Sequence, residues 1–548
     1  MLRPKYILIL LIYLSLFYSA YGFNVEYGTV ISTNKNSVMV QQSSIGKKTN
    51  YICNIVKLSC EKTNKFVLDG EKTSIINSDL KKELSNKKAH HVTISPSRNF
   101  LSYYLPSTNE RNISAFIIKD INLNQDYELS ESRTYWDLVV DLNKIFEFSP
   151  DSSSLIYLDD IDGYMSLYKV DIKGLRDSKI TSTKIQTSAY TINDFVFYNE
   201  DTIYYVGNDK HNPYQWSLYE LDLKTGKDKI VEKDVSYVDR LRKVGSVIVF
   251  NGLQSIGYGP KVYNPKSKKV YSFRIPSVNP KKSLNNEEVV KIGDMTGILM
   301  PPKQVKKDRA YPLIVWLHGG PVRQASLGYH PYNSYGVYDS ILKLLQKNNF
   351  IILQLDYRGS IGFGRKYSEA IKGSVGKGDV LDVLNGVDYI KSKFKTNEVY
   401  LMGNSYGGYL SLKSLVERPD VFNGVVSING VTDWESLIVK MQNSIFNAEF
   451  DGLPDFNNRI LYDQASIFNN LDKIGNQKIY IIAGVADRTV PYWQATDLYE
   501  KLKTANKNVK LISYKGEGHV YKQKKTIKNL CAELFNFVGM KVDSECNK

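Results

Sequence analysis

The sequence predicts an N-terminal all-β, propeller-like domain followed by a C-terminal α/β domain. Three observations predict it. Short apolar stretches rich in Tyr, with turn residues between them, run from about Phe23 to Pro280. One octapeptide within them recurs at an offset of 51 residues. Beyond residue 283, buried-strand runs alternate with helical patterns, as in an open parallel sheet. At 548 residues the chain is long enough for two domains with separate cores.

Residues 1–22 read as a segment apart from both domains. Met1-Leu2-Arg3-Pro4-Lys5 is positive, Tyr6 through Phe17 is apolar, and small residues stand at Ala20 and Gly22. That order is the pattern of a secretory signal peptide, with cleavage expected near Gly22-Phe23. The apolar run is short for a bilayer. A secreted or periplasmic protein without stable membrane insertion is the expectation.

Residues 23–282 carry the repeat. Ser166-Leu167-Tyr168-Lys169-Val170-Asp171-Ile172-Lys173 aligns with Ser217-Leu218-Tyr219-Glu220-Leu221-Asp222-Leu223-Lys224. One step back lies Ala115-Phe116-Ile117-Ile118-Lys119-Asp120-Ile121-Asn122, and a looser copy stands at Lys261-Val262-Tyr263-Asn264-Pro265. Ile94-Ser95-Pro96 and Phe148-Ser149-Pro150-Asp151 mark a second recurring turn. A period of about 40–50 residues built of short strands is the mark of propeller blades. It predicts five or six of them; an ordinary antiparallel sandwich is the competing reading.

The four cysteines form two local pairs. Cys53 and Cys60 flank a hairpin in the first blade, and Cys531 and Cys546 bracket the last helix and the tail. In an exported chain this predicts two disulfides. No Cys/His cluster has metal-ligand spacing. The net charge of +15 comes from scattered Lys without a nucleic-acid motif, and reads as a solvated surface.

Residues 283–548 hold the chemistry. Val399-Tyr400-Leu401-Met402 runs into Gly403-Asn404-Ser405-Tyr406-Gly407-Gly408, and a helical pattern follows from Tyr409. A strand, a tight G-x-S-x-G turn and a helix make a nucleophile elbow that exposes the Ser405 hydroxyl. Of six histidines, His519 alone follows Ser405, in the turn Gly516-Glu517-Gly518-His519. Imidazole titrates near neutrality and suits a general base. The orienting carboxylate is assigned to Asp487, which follows the buried run Ile479-Tyr480-Ile481-Ile482-Ala483. Asp433 follows Val425-Val426-Ser427-Ile428 and is its competitor. The order Ser, Asp, His is that of α/β-hydrolases.

Leu313-Ile314-Val315-Trp316-Leu317 ends in His318-Gly319-Gly320-Pro321. The Tyr406 amide and the Gly320 amide are the expected oxyanion donors, with Gly319 as the alternative. His318 is read as a positioning residue. Tyr409, Trp434 and Trp493 either line a substrate pocket or belong to the core.

These motifs, with Asp356-Tyr357-Arg358-Gly359-Ser360-Ile361-Gly362-Phe363-Gly364, resemble the prolyl oligopeptidase family of serine peptidases. The likeness covers about Val290 to Gly539 and looks closest to the acylaminoacyl-peptidase-like branch. It implies nucleophile Ser405, acid Asp487, base His519, and hydrolysis of peptide or ester bonds through an acyl-enzyme, with no metal and no cofactor. Two departures stand out. The elbow reads Gly403-Asn404-Ser405 where Gly-Gly-Ser is usual. The acid loop reads Asp487-Arg488-Thr489, one place off the usual Asp-x-Arg, so Arg488 is only a candidate substrate contact. Peptides are the expected partners, with room for a homo-oligomer. A carboxylesterase with the same triad and a non-catalytic propeller binding protein are the rival readings.

Overall fold

The structure is a computed structural model. It describes residues 27–547 apart from 35–36, 45–46, 55–58, 64–77, 106–113, 133–143, 177–179, 186, 239, 255–256, 274–285, 329 and 442–448. The expected signal peptide therefore lies outside the described residues, as does the expected boundary at 282/283.

Five four-stranded antiparallel sheets follow one another in the N-terminal half, spanning residues 27–63, 90–132, 146–184, 192–233 and 242–272. The expected all-β, propeller-like half is observed, with five blades among the described residues. Inner strands of neighbouring sheets touch: His90–Ile94 lies against Phe146–Phe148, and Ile192–Asn199 against Arg242–Val244. Tyr27–Asn34 of the first sheet lies against Gly257–Asn264 of the last, which brings the two ends of the series together.

The octapeptide repeat has a structural meaning. Its copies fall on the third strand of successive sheets: Ser114–Asp120, Ser166–Asp171 and Trp216–Asp222, with the looser copy in Gly257–Asn264. The shared Asp or Asn closes the hairpin that follows. Asp120 Oδ1 accepts the amides of Asn122 and Leu123, and Asp171 Oδ1 that of Lys173. Asp222 Oδ1 accepts those of Lys224 and Thr225, and Asn264 Oδ1 those of Lys266 and Ser267. This Asx turn competes for the backbone and ends the strand. The second recurring turn is equally regular. Ser95 and Ser149 each donate an amide across to the next strand, to Phe100 O and Ser154 O, both at 2.8 Å. Arg98 and Ser152 sit at matching φ of 62° and 63°.

The C-terminal half is built on an eight-stranded sheet. In chain order its strands are Glu288–Ile292, Met295–Met300, Tyr311–Leu317, Ile351–Asp356, Thr396–Asn404, Gly424–Ile428, Lys478–Gly484 and Val509–Tyr514. In space they run first, second, fourth, third, then fifth to eighth. The first three in that order pair antiparallel, and all later pairs are parallel. The central strands are buried on both faces and alternate between two cores. Leu313, Val315 and Leu317 face helices Gly378–Lys393, Tyr406–Glu417 and Trp493–Thr504. Ile314 and Trp316 face helices Asn333–Lys347 and Lys524–Phe537. This is the expected α/β-hydrolase half.

Cys531 and Cys546 are disulfide-bonded, with Cα atoms 5.6 Å apart, and tie the last helix to the turn Ser544–Asn547. Cys53 and Cys60 stand opposite each other on paired strands, where the backbone alone is described. Among the described residues no helix is long and apolar enough to cross a membrane.

Candidate active site

Open α/β sheets gather their ligands at the carboxyl ends of the strands, where the strand order reverses. Here the reversal lies between Tyr311–Leu317 and Thr396–Asn404. Ser405 follows the second of these directly. It occupies φ 57°, ψ −121°, far from helical values, and the helix Tyr406–Glu417 starts at the next residue. Small residues are obligatory around it. A Cβ on Gly407 would meet Leu317 O at 1.9 Å, and one on Gly403 would meet Gly407 O at 2.3 Å. No side chain can shift to relieve a clash with backbone on both sides.

Three loops are laced together beside the elbow. Ser405 donates its amide to Ile428 O at 2.8 Å. The next residue, Asn429, has φ 48° and spans outward. Its Nδ2 donates to His519 O at 2.9 Å, and its Oδ1 accepts the Gly484 amide at 2.9 Å and the Tyr521 hydroxyl at 3.1 Å. The loops carrying Asp487 and His519 also bond directly, Ala486 N to Glu517 O at 2.8 Å. Glu517 is buried, and its carboxylate takes the amides of Lys522 and Gln523, which shapes the turn carrying His519.

His519 Nδ1–H donates to Asp487 Oδ2 at 2.7 Å. The other carboxylate oxygen of Asp487 accepts the amides of Thr489 at 2.8 Å and Val490 at 3.0 Å. The Asp487 side chain is 1% exposed and that of His519 is 21% exposed. A buried carboxylate behind a partly open imidazole leaves one ring nitrogen available at the surface. The competitor Asp433 is engaged elsewhere: it caps the helix Trp434–Met441, accepting the Ser436 amide at 3.0 Å and the Ser436 hydroxyl at 2.7 Å.

The turn His318–Pro321 faces the elbow. The Cβ position of Gly319 lies 3.0 Å from both Ser405 Cβ and Asn404 O. The Gly319 amide is given to the Tyr335 hydroxyl at 3.1 Å. The Gly319 carbonyl accepts from His318 Nδ1 at 2.7 Å, while His318 Nε2 meets Ser360 Oγ at 3.0 Å and Asp356 Oδ1 at 3.2 Å. His318 is thus buried and held at both nitrogens, as a positioning residue would be.

Tyr406 is buried and its hydroxyl donates to Asp379 at 2.7 Å, which anchors the first turn of the helix. Tyr409 and Trp434 pack with Tyr406 and Phe450 in one aromatic cluster behind the elbow. Both are fully buried, and the Tyr409 hydroxyl is spent on Ala465 O. Trp493 lies under Lys440, which sits 3.9 Å from its ring centroid, in a surface cleft with Thr432, Asp433 and Phe468. Arg488 is exposed on the acid loop.

Glu449, next to Phe450, is buried, and its Oε2 has no hydrogen-bond partner among the described residues. Burial pushes its carboxyl from an ordinary 4.5 up to about 8. The native state then keeps a proton that the unfolded chain releases, so stability should fall as pH rises between about 4.5 and 8. Glu449→Gln should flatten that part of the curve. Thermal unfolding of both proteins from pH 4.5 to 8 checks this, and parallel curves would refute it.

Sequence reasoning did not reach Asn429 or Tyr335 as parts of the site, and it met Asp356 only as the first residue of a motif, without a role. Each acts through a contact far away in sequence. The only local signal is polarity at the carboxyl end of a strand, which Asn429 and Asp356 show.

Residues 337–545 match the prolyl oligopeptidase family, and residues 66–238 match the dipeptidyl peptidase IV (DPP IV) N-terminal region. Among curated relatives, human acylamino-acid-releasing enzyme is 28% identical over 235 residues, 41% of this chain. Human dipeptidyl peptidase 8 is 26% identical over 264 residues, 46% of this chain. The matches span 31% and 28% of the lengths of these two relatives. Among solved structures, a puromycin-hydrolyzing peptidase of Mycobacterium tuberculosis superposes with TM-score 0.69 at 14% identity, covering 94% of this chain and 80% of that one. Dipeptidyl peptidase 4 of Porphyromonas gingivalis gives 0.65 at 15%, covering 93% and 71%. These two share the fold.

Proposed function

We propose that this chain, whose residues 337–545 match the prolyl oligopeptidase family, is a serine peptidase that hydrolyses short peptides through an acyl-enzyme formed on Ser405, with His519 as base and Asp487 as acid. The observation that carries this is the Asp487–His519 hydrogen bond, set one residue pair from the elbow through Ile428 and Asn429.

His519 removes the Ser405 proton as Oγ attacks the peptide carbonyl carbon. The Tyr406 and Gly320 amides receive the oxyanion, and the Gly319 amide stays with Tyr335. The C–N bond breaks, His519 delivers its proton to the leaving amine, and the acyl group remains on Ser405. Water then attacks with His519 again as base, releasing the acid and restoring the serine. Asp487 holds the imidazole in the required tautomer throughout. The repeat-built N-terminal half separates this reading from a lidded carboxylesterase, and the complete Ser, Asp and His set separates it from a relic domain.

The five-sheet domain would admit extended peptides and exclude folded proteins. Purified protein should cleave peptides of about ten residues and spare a compact globular substrate under the same conditions. Equal cleavage of both would refute the access limit. Cleavage of neither would refute the peptidase reading.

A further inference from the structure

We propose that the propeller acts on the reaction step as well as on access. Its loop 209–215 holds the oxyanion-binding turn in shape, with Tyr214 as the positioning residue. The proposal rests on the assignment of Ser405 and the Gly320 amide above.

The loop joins the second and third strands of the fourth sheet, Thr202–Asn208 and Trp216–Asp222. It is rigid by its own bonding. Asp209 Oδ1 accepts the amides of His211 at 2.7 Å and Asn212 at 3.1 Å, and Gln215 and Asn212 close the turn across their backbones at 2.9 Å. It is then clamped to the catalytic domain at several points. Trp216 Nε1 donates to Gln324 Oε1 at 3.2 Å, Gln324 Nε2 donates to Pro213 O at 3.1 Å, and Asn208 Nδ2 donates to Gly362 O at 3.1 Å.

One further contact leads into the site. The buried Tyr214 hydroxyl donates to Asp356 Oδ2 at 2.5 Å. Asp356 is fully buried at the carboxyl end of its strand, and its Oδ1 accepts the Ala325 amide at 2.9 Å and faces His318 Nε2 at 3.2 Å. His318 Nδ1 in turn donates to Gly319 O at 2.7 Å. The Gly319 carbonyl and the Gly320 N–H belong to one peptide unit. That unit is planar, so fixing the oxygen fixes the direction of the N–H. The line Tyr214, Asp356, His318, Gly319 therefore aims the proposed oxyanion donor from the other domain. Burial and the neighbouring carboxylate raise the Tyr214 hydroxyl well above its ordinary value, which keeps it a donor.

Domain-joining bonds could end anywhere on the interface. This one ends on the only carboxylate in contact with His318 among the described residues. Losing it would leave Asp356 Oδ2 buried without that donor and free the carboxyl to turn. The misplacement would be felt where the oxyanion forms, which is a transition-state effect more than a ground-state one.

The test uses the full chain and three variants: Tyr214→Phe, Asp356→Asn and, as a control, Trp216→Phe. The control removes a neighbouring interdomain bond without touching Asp356. Steady-state kinetics on a short peptide and inhibition by a peptide aldehyde, whose adduct carries an oxyanion, are measured for each. Tyr214→Phe and Asp356→Asn should each lose about ten- to a hundredfold in kcat with KM within about twofold, and aldehyde affinity should fall by a similar factor. Trp216→Phe should keep kcat within about twofold. An unchanged kcat in Tyr214→Phe or in Asp356→Asn overturns the proposal. So does a rise in KM alone, or an equal loss in the control, since either marks a general domain contact. A wild-type protein that neither cleaves peptide nor reacts with a fluorophosphonate sinks the underlying assignment, and this one with it.

Discussion

Ser405→Ala should abolish turnover, with an expected loss of about 10⁵- to 10⁶-fold in kcat, and leave the fold in place. The size follows from the chemistry. The nearby hydroxyls are engaged, that of Tyr406 with Asp379 and that of Tyr335 with the Gly319 amide, and without Oγ there is no acyl-enzyme to form. What remains is the binding surface and the anion cradle acting on water, typically worth 10³–10⁴ over the uncatalysed rate. The fold is spared because alanine keeps the Cβ and the backbone demand is unchanged at φ 57°. Both residues pay the same small strain there. The Ser405 side chain makes no cap bond that alanine would forfeit. Initial rates on a short peptide, paired with thermal unfolding, decide the matter. A variant that keeps more than about 1% of wild-type kcat with an intact fold would remove Ser405 from the mechanism.

Asp487→Asn should cost about 10⁴-fold in kcat with nearly wild-type stability. The two bonds to the outer carboxylate oxygen explain why asparagine cannot adapt. Thr489 and Val490 both present amides there, so the side-chain oxygen of asparagine must stay on that side. Its NH₂ then points at His519 Nδ1 and needs an acceptor. The imidazole must move its proton to the far nitrogen, the one that would otherwise take the serine proton. Geometry survives while the tautomer is wrong. A flipped amide would instead set NH₂ against two backbone N–H groups, a loss of two buried bonds worth about 1–3 kcal/mol each. The kinetics and the rate of fluorophosphonate labelling should fall together. An asparagine variant within about tenfold of wild type would exclude Asp487 as the orienting group.

Much of the architecture was legible because it is written in short-range patterns. The octapeptide repeat reports the third strand of four of the five blades, and its Asp or Asn reports an Asx turn; both are local events. The run Leu313 to Leu317 and the run Ile479 to Ala483 read as buried strands because both faces are covered, and they are. The elbow was legible because Gly403 and Gly407 are forced by backbone contacts that no other residue tolerates. Strand order favours Asp487 over Asp433, and the geometry agrees with that preference: Asp433 caps a helix through Ser436 while Asp487 meets His519. Other parts were silent. Tyr335 occupies the Gly319 amide from a separate helix, and Tyr214 reaches Asp356 across 142 positions. Such contacts depend on how finished elements pack, which no window of sequence contains. The aromatic residues near the elbow were ambiguous for the same reason. Tyr409 and Trp434 turned out to fill the space behind it.

Asn429 carries a last consequence. One amide side chain touches the loops bearing His519 and Asp487, while the residue before it receives the N–H of Ser405. The three groups are therefore mounted on a common keystone and share whatever displacement it undergoes. Length changes in the loops after residues 428, 484 or 514 would have to be made in concert to preserve the alignment, so drift in this lineage should be tolerated between those points and not within them.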